Sequence, residues 1–269
     1  MKPISFIIPS RNNLKYLKQA YESIRKNQSV EHEICIADDA STDGTMEWVL
    51  VQMKRDKWLK LHVNKGPERL GHTILYDTLI NDYATHDRVM IFHADMYLTP
   101  NSDKEIDKYL KEGVVVSLTR IEPPLHPPGP EKIIEDFGIE PEEFDESGLL
   151  SYARDNQKEK ITNGIFAPWA IMKSDWDRVG GHDPLFAPQS KPEHVSLASQ
   201  HLFSSADPAE ASHDVPPQYS VLGLLFRTLV ALGHVKSEHV ALLSQHLLSS
   251  ALVHDAPAQY LVCGSDLSI

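Results

Sequence analysis

Glu33-Ile34-Cys35-Ile36-Ala37 runs directly into Asp38-Asp39-Ala40-Ser41-Thr42-Asp43-Gly44-Thr45, and Met46-Glu47-Trp48-Val49 follows. The first run is apolar, short and partly β-branched, which reads as a buried strand. The last run has the apolar spacing of the first turns of a helix. Two carboxylates, Asp38 and Asp39, therefore stand at the C-terminal end of a strand. In open α/β sheets that edge is where ligands bind. Asp43 or Thr42 can cap the following helix. Capping needs one such residue, and the run supplies several more.

The same rhythm extends on both sides. Residues 4–8 read as a strand ended by Pro9. Leu14, Leu17, Tyr21 and Ile24 have helical spacing, with Asn12 or Asn13 as cap. A helix over 45–53, a strand over 59–63 and a helix over 70–83 come next, the last with Ile74, Leu75, Leu79 and Ile80 turned inward. A strand over 88–92 completes a βαβαβαβ series. That series predicts an α/β fold with a mainly parallel sheet and helices on both faces. Right-handed crossovers bring the strand ends to one edge. Pro9-Ser10-Arg11-Asn12, Asp38-Asp39 and His93-Ala94-Asp95 then surround one place, with Arg69 in a loop between them.

Beyond Asp95 the reading is a helix over 103–111, a strand over 114–118 and a proline-rich loop over 122–130, where regular structure is blocked. An acidic stretch follows over 134–147. A strand over 166–172, a short helix over 174–179 and a turn at Gly180-Gly181-His182-Asp183-Pro184 close this part.

From Pro192 the composition shifts. Half of the 14 histidines lie there, but two of the 26 lysines and arginines. Residues 193–206 (EHVSLASQHLFSSA) match residues 238–251 (EHVALLSQHLLSSA) at 11 of 14 positions. The chain thus divides into a domain over 1–191 and a helical tail over 192–269. The tail reads as a duplicated helical hairpin packed on the domain, or as a foreign or disordered ending. The pairs His194 and His201, and His239 and His246, share helix faces without a third metal ligand.

The formal net charge of −12 excludes a general nucleic-acid binder, which needs a basic face. Two cysteines form no metal spacing or disulfide framework. The apolar start is too short for a signal peptide. Residues 221–235 carry Arg227 and fall short of the roughly 20 residues a membrane helix needs. The expectation is a cytoplasmic protein with no transmembrane segment.

Ile7-Ile8-Pro9-Ser10-Arg11-Asn12, the Asp38–Thr45 run and Phe92-His93-Ala94-Asp95 resemble the nucleotide-sugar-binding half of a family 2 glycosyltransferase with the GT-A fold. Phe166-Ala167-Pro168 and Val179-Gly180-Gly181-His182-Asp183 are similar to the family's acceptor-side segment. The resemblance covers about residues 1–191. It implies inverting transfer from a nucleotide sugar, in particular a UDP-sugar, to a hydroxyl of a glycan, lipid or protein. By the same resemblance Asp39 reads the uracil N–H, and Pro9, Ser10, Arg11, Asp38, Arg69 and Ala94 belong to the donor-nucleotide pocket. Manganese or magnesium would bridge the diphosphate, held by Asp95.

The chain departs from the family in two places. His93 stands where the metal motif has its first Asp. A neutral imidazole ligates manganese better than magnesium, and a packed strand-end histidine is the alternative reading. Asp95 has a capping alternative, and Arg69 that of a solvated loop charge. The family's acidic base pair is also missing, since Gln189-Ser190-Lys191-Pro192-Glu193-His194 occupies its place. Glu193 is the nearest candidate base and Asp183 the next, while an acid at a helix start is the plainer reading of Glu193. A catalytically impaired nucleotide-sugar-binding protein of the same fold is therefore the alternative function. A dinucleotide-dependent dehydrogenase is disfavoured because no Gly-x-Gly-x-x-Gly follows the first strand. A nucleotidyltransferase lacks its glycine-rich loop there.

Overall fold

The computed structural model describes residues 1–125, 128–129, 132–157 and 166–182, and 261–268 as backbone. Its first half alternates β1 (Ser5–Ser10), α1 (Leu14–Asn27), β2 (Glu33–Asp39), α2 (Thr45–Met53), β3 (Leu59–Asn64), α3 (His72–Thr78) and β4 (Arg88–Ile91). α3 continues into a π-helical turn over Leu79–Tyr83. Then come β5 (Met96–Leu98), α4 (Ser102–Tyr109), β6 (Val116–Glu122), β7 (Lys132–Ile134), α5 (Glu146–Asp155), β8 (Trp169–Met172), α6 (Lys173–Val179) and β9 (Leu261–Ser268).

Among the described residues these strands form one nine-stranded sheet ordered β3-β2-β1-β4-β8-β6-β9-β5, with β7 on β6. β1 lies parallel between β2 and β4, and β3 extends the parallel half. β8 pairs antiparallel with both β4 and β6. Ser10 is in register with Asp38, and Asp39 with Asn64. The strand ends are thus level.

Alternation along the strands sends side chains to two faces. Phe6, Ile8, Ile34, Ile36, Met90 and Phe92 pack with Leu17, Ala20 and Ile24 of α1, Val49 of α2 and Ile106 of α4. Ile7, Cys35, Ala37, Val89 and Ile91 pack with Leu75 and Tyr76 of α3 and Trp176 of α6. Helices therefore cover both faces, as the GT-A reading expects. Phe6 meets Phe92 edge-on at 5.6 Å. Truncating such a core aromatic to Ala costs about 3–5 kcal/mol.

Some expectations need correction. Ile74 is 37% exposed, because the inward stripe of α3 runs through Leu75, Tyr76 and Leu79. The helix expected over 70–83 starts at His72 and changes to the π-helical turn at Leu79. The acidic stretch holds the start of α5. Leu149 and Ala153, four apart, bury against Tyr97 and Ile121, and Asp145 caps the helix by accepting from the Gly148 N–H at 2.9 Å. In the tail, Leu261–Ser268 is a strand, pairing antiparallel with β6 and parallel with β5. The repeat over 193–206 and 238–251 lies outside the described residues.

Candidate functional site

The loops after β1 and β2 are stitched together by the run that decides the fold. Asn12 donates its backbone N–H to Ser41 Oγ at 3.0 Å, and its side-chain oxygen accepts from the Thr42 N–H at 2.7 Å. Asp43 Oδ2 accepts from the Leu14 N–H at 2.8 Å, while Oδ1 accepts from Thr45 Oγ at 2.6 Å. One carboxylate thus serves the starts of two helices, α1 and α2. This is why the run holds more polar residues than one cap needs.

Asp38 is buried, and its Oδ1 accepts from the Ser41 N–H at 3.2 Å. It shapes the turn after β2. Asp39 is buried too and organises the next loop. Its Oδ1 accepts from Asn64 Nδ2 at 2.7 Å and from the Leu70 N–H at 2.9 Å, and Oδ2 from the Gly71 N–H at 3.0 Å. Burial alone would raise its pKa. The Leu70 amide, the Asn64 side chain and the Gly71 amide outweigh that and hold the carboxyl below its usual range. An ionised carboxylate has about four lone-pair sites, so one on Oδ2 is left for a further donor.

A cleft of about 240 Å³ opens at the strand ends. Pro9, Ser10, Arg11 and Asn13 line one side, His93, Ala94 and Asp95 another, and Arg69, His72 and Tyr76 a third. Small-molecule sites run to roughly 300–1,000 Å³, so the cleft is somewhat smaller than a whole ligand site. Two cations face it. Arg11 donates to the Asp39 carbonyl at 3.0 Å, and Arg69 stands 3.9 Å from Asp39 Oδ2. Ser10 Oγ is buried with no hydrogen-bond partner among the described residues.

His93 lies under the ring of His72, with centroids 6.4 Å apart and planes 13° from parallel. Burial, then the charges of His72 and Arg120, push its pKa down to about 3. Its imidazole is therefore neutral near pH 7, with a lone pair able to ligate. Among the described residues no three His, Cys, Asp or Glu side chains gather as a metal-binding group. His93 and Asp95 are two donors on one cleft. Such a pair fits an ion whose other ligands are phosphate oxygens and water.

The sequence profile described as glycosyl transferase family 2 matches residues 5–179. The chain belongs to this glycosyltransferase family. Abequosyltransferase RfbV of Salmonella typhimurium strain LT2 is 39% identical over 113 residues, 40% of this chain and 32% of that protein. The uncharacterized glycosyltransferase YaiP of Escherichia coli K12 is 34% identical over 102 residues, 37% of this chain and 24% of that protein. The chain thus matches a third or less of the length of these relatives. In fold it is similar to S. aureus TarS 1–349, with a TM-score of 0.51 at 15% identity, covering 74% of this chain and 55% of that one. It is likewise similar to GalNAc-T7, with a TM-score of 0.52 at 15% identity, covering 73% and 40%. No helix among the described residues is long and apolar enough to cross a membrane.

Of the residues expected at the site, Pro9, Ser10, Arg11, Arg69, His93, Ala94 and Asp95 share the cleft. Asp38 and Asp39 are not in its lining, and their hydrogen bonds hold the loops beside it. Asp183 and Glu193 lie outside the described residues. Sequence reasoning missed His72 and Tyr76, which line the cleft from α3. The signal for them was Gly71 at the helix start and the spacing of four from His72 to Tyr76, one helical turn.

Proposed function

We propose that this chain takes a sugar from a nucleotide sugar, in particular a UDP-sugar, and transfers it with inversion to an acceptor hydroxyl of a glycan, lipid or protein, assisted by a divalent metal ion. The observation that carries this reading is a single cleft where the ends of β1 and β4 meet two arginines and one carboxylate-imidazole pair. Asp39 would use its remaining lone pair to accept the uracil N–H, with Pro9 and Ser10 lining the nucleotide side. Arg11 and Arg69 would meet the diphosphate. Asp95 and His93 would hold manganese or magnesium. Such an ion acts as a Lewis acid on the phosphate oxygens.

In the reaction the acceptor oxygen bonds to the anomeric carbon as the bond from that carbon to the diphosphate breaks. The electron pair of that bond leaves with the nucleoside diphosphate. The acceptor proton passes to a carboxylate, for which Glu193 and Asp183 are the proposed residues. The fold holds UDP in the S. aureus TarS complex and UDP with Mn2+ in the GalNAc-T7 structure. UDP and Mn2+ are therefore the first ligands to try.

Calorimetric titration with UDP, with and without Mn2+, tests the reading. Binding that Asp39→Ala weakens and Asp95→Ala uncouples from the metal supports it. Undetectable binding at millimolar UDP would sink it. A second reading is favoured by the segment Gln189–His194, which carries no acidic pair. In that reading the chain binds nucleotide sugar without transferring it. Slow release of free sugar from the donor would count against that alternative.

A further inference from the structure

The chain leaves α6 through Gly180 and Gly181, at φ of 81° and 78°. Here the turn presses on α3, and a Cβ on Gly181 would stand 3.2 Å from Asp77 Oδ1. Gly181 thus serves both the backbone conformation and the close approach. Asp77 Oδ1 accepts from the His182 backbone N–H at 3.3 Å and from His182 Nδ1 at 2.8 Å. A carboxylate can only accept, so Nδ1 carries the proton. The His182 side chain is 4% exposed. Its ring lies over Tyr76, with centroids 5.8 Å apart and planes at 26°, and meets Trp176 edge-on at 5.0 Å.

Tyr76 is next to Asp77 in α3 and lines the cleft. Burial first, and the charge of Asp95 second, raise the pKa of its hydroxyl. Tyr76 thus carries the stacked His182 ring and itself lines the cleft that Asp95 also lines. Neither Asp77 nor His182 lines the cleft.

We propose that Asp77 and His182 are positioning residues that fix Tyr76 in the wall of the donor cleft. The assignment rests on the reading of that cleft as a nucleotide-sugar pocket. Asp77 orients the His182 ring through Nδ1, and the ring sets the plane of Tyr76. A turn between α6 and the following chain is thereby tied to donor binding. A histidine there does what a plain apolar side chain would not, because it combines a ring face with an N–H aimed at α3.

The test compares the full chain with Asp77→Ala, Asp77→Asn and His182→Phe, reading UDP affinity in Mn2+ and the tyrosine ring signals by NMR. Asp77→Ala should weaken UDP binding by about fivefold to tenfold, the scale of one lost hydrogen bond, and should move the Tyr76 signals. Asp77→Asn keeps an oxygen that accepts from both His182 N–H groups, and should return affinity to within about twofold. His182→Phe keeps a ring and loses the Nδ1–H, so it should behave as Asp77→Ala and serves if that variant does not fold. Tyr76 signals that stay in place overturn the proposal, and so does UDP affinity unchanged in both disruptive variants. If the unmutated chain binds no UDP while Asp77→Ala still moves the Tyr76 signals, the donor reading fails and the positioning of Tyr76 stands.

Discussion

Asp39 and Leu70 are joined by a 2.9 Å hydrogen bond in which the Leu70 backbone N–H donates to the carboxylate. A strand-end residue thereby fixes a loop thirty-one positions later in the chain. Both oxygens of Asp39 already face donors, so Asp39→Asn must set its amide N–H against one of them. Leaving a buried donor unpaired costs about 1–3 kcal/mol. The variant should lose UDP affinity by about 10- to 100-fold. Amide hydrogen exchange at Leu70 and Gly71 should speed up in parallel. Unchanged exchange at both amides would show that Asp39 does not organise the loop.

Arg69 holds its neighbour weakly. Its side chain is 43% exposed and stands 3.9 Å from Asp39 Oδ2. Only the arginine end of the pair is exposed, and at 3.9 Å it is longer than a hydrogen bond, so little opposes turning Arg69 toward a phosphate. Arg69→Ala should weaken UDP by about tenfold and leave uridine binding unaltered, since a nucleoside has no phosphate to meet. Equal losses for UDP and uridine would place Arg69 at the base or ribose instead. Fold stability should stay within about 0.5 kcal/mol, as for most surface substitutions.

The parallel half of the fold is legible because its strands are buried on both faces. Ile34-Cys35-Ile36-Ala37 and Val89-Met90-Ile91 are apolar throughout, and each pairs as a sheet strand. Short strands are different. Met96–Leu98 and Lys132–Ile134 have three residues each, too few for a period to register. α5 was hidden because its buried stripe is two residues, Leu149 and Ala153, directly after an acidic stretch. Of the site, the residues at strand ends could be read from position alone. The roles of Asp38 and Asp39 could not. Nothing in the sequence says that the Leu70 and Gly71 amides fold back onto Asp39, because that contact is set by the path of a loop.

His93 and Asp95 should make nucleotide binding sensitive to which metal is offered. Neutral imidazole is a poor ligand for magnesium and a fair one for manganese. His93→Asp supplies a second carboxylate oxygen, the kind of ligand magnesium takes. UDP affinity in Mg2+ should then rise by about tenfold in the variant, with a smaller change in Mn2+. Calorimetry in each metal reads the ratio directly. A ratio that does not move would remove His93 from the set of metal ligands.

Glu33 gives the clearest pH signature. Its side chain is fully buried, Lys60 Nζ lies 2.6 Å from Oε1, and Oε2 accepts from Ser5 Oγ at 2.6 Å. The Thr85 N–H and hydroxyl donate to it as well, at 2.8 and 2.7 Å. Burial would raise its pKa, but Lys60, Ser5 and Thr85 outweigh that and hold it at about 2, against an ordinary 4.5. Because the folded value lies below the unfolded one, its contribution is fully present above about pH 4.5 and fades as the pH falls toward 2. A shift of this size corresponds to roughly 3 kcal/mol. Glu33→Gln should lose about that much stability at pH 7, since Lys60 would remain beside a neutral group. The difference between the two chains should then shrink as urea unfolding is repeated at successively lower pH down to about 2.5. Other acids with depressed values, such as Asp103 and Asp107, titrate in both chains and cancel in the difference. A difference that stays constant with pH would mean that Glu33 is protonated alike in the folded and unfolded chain.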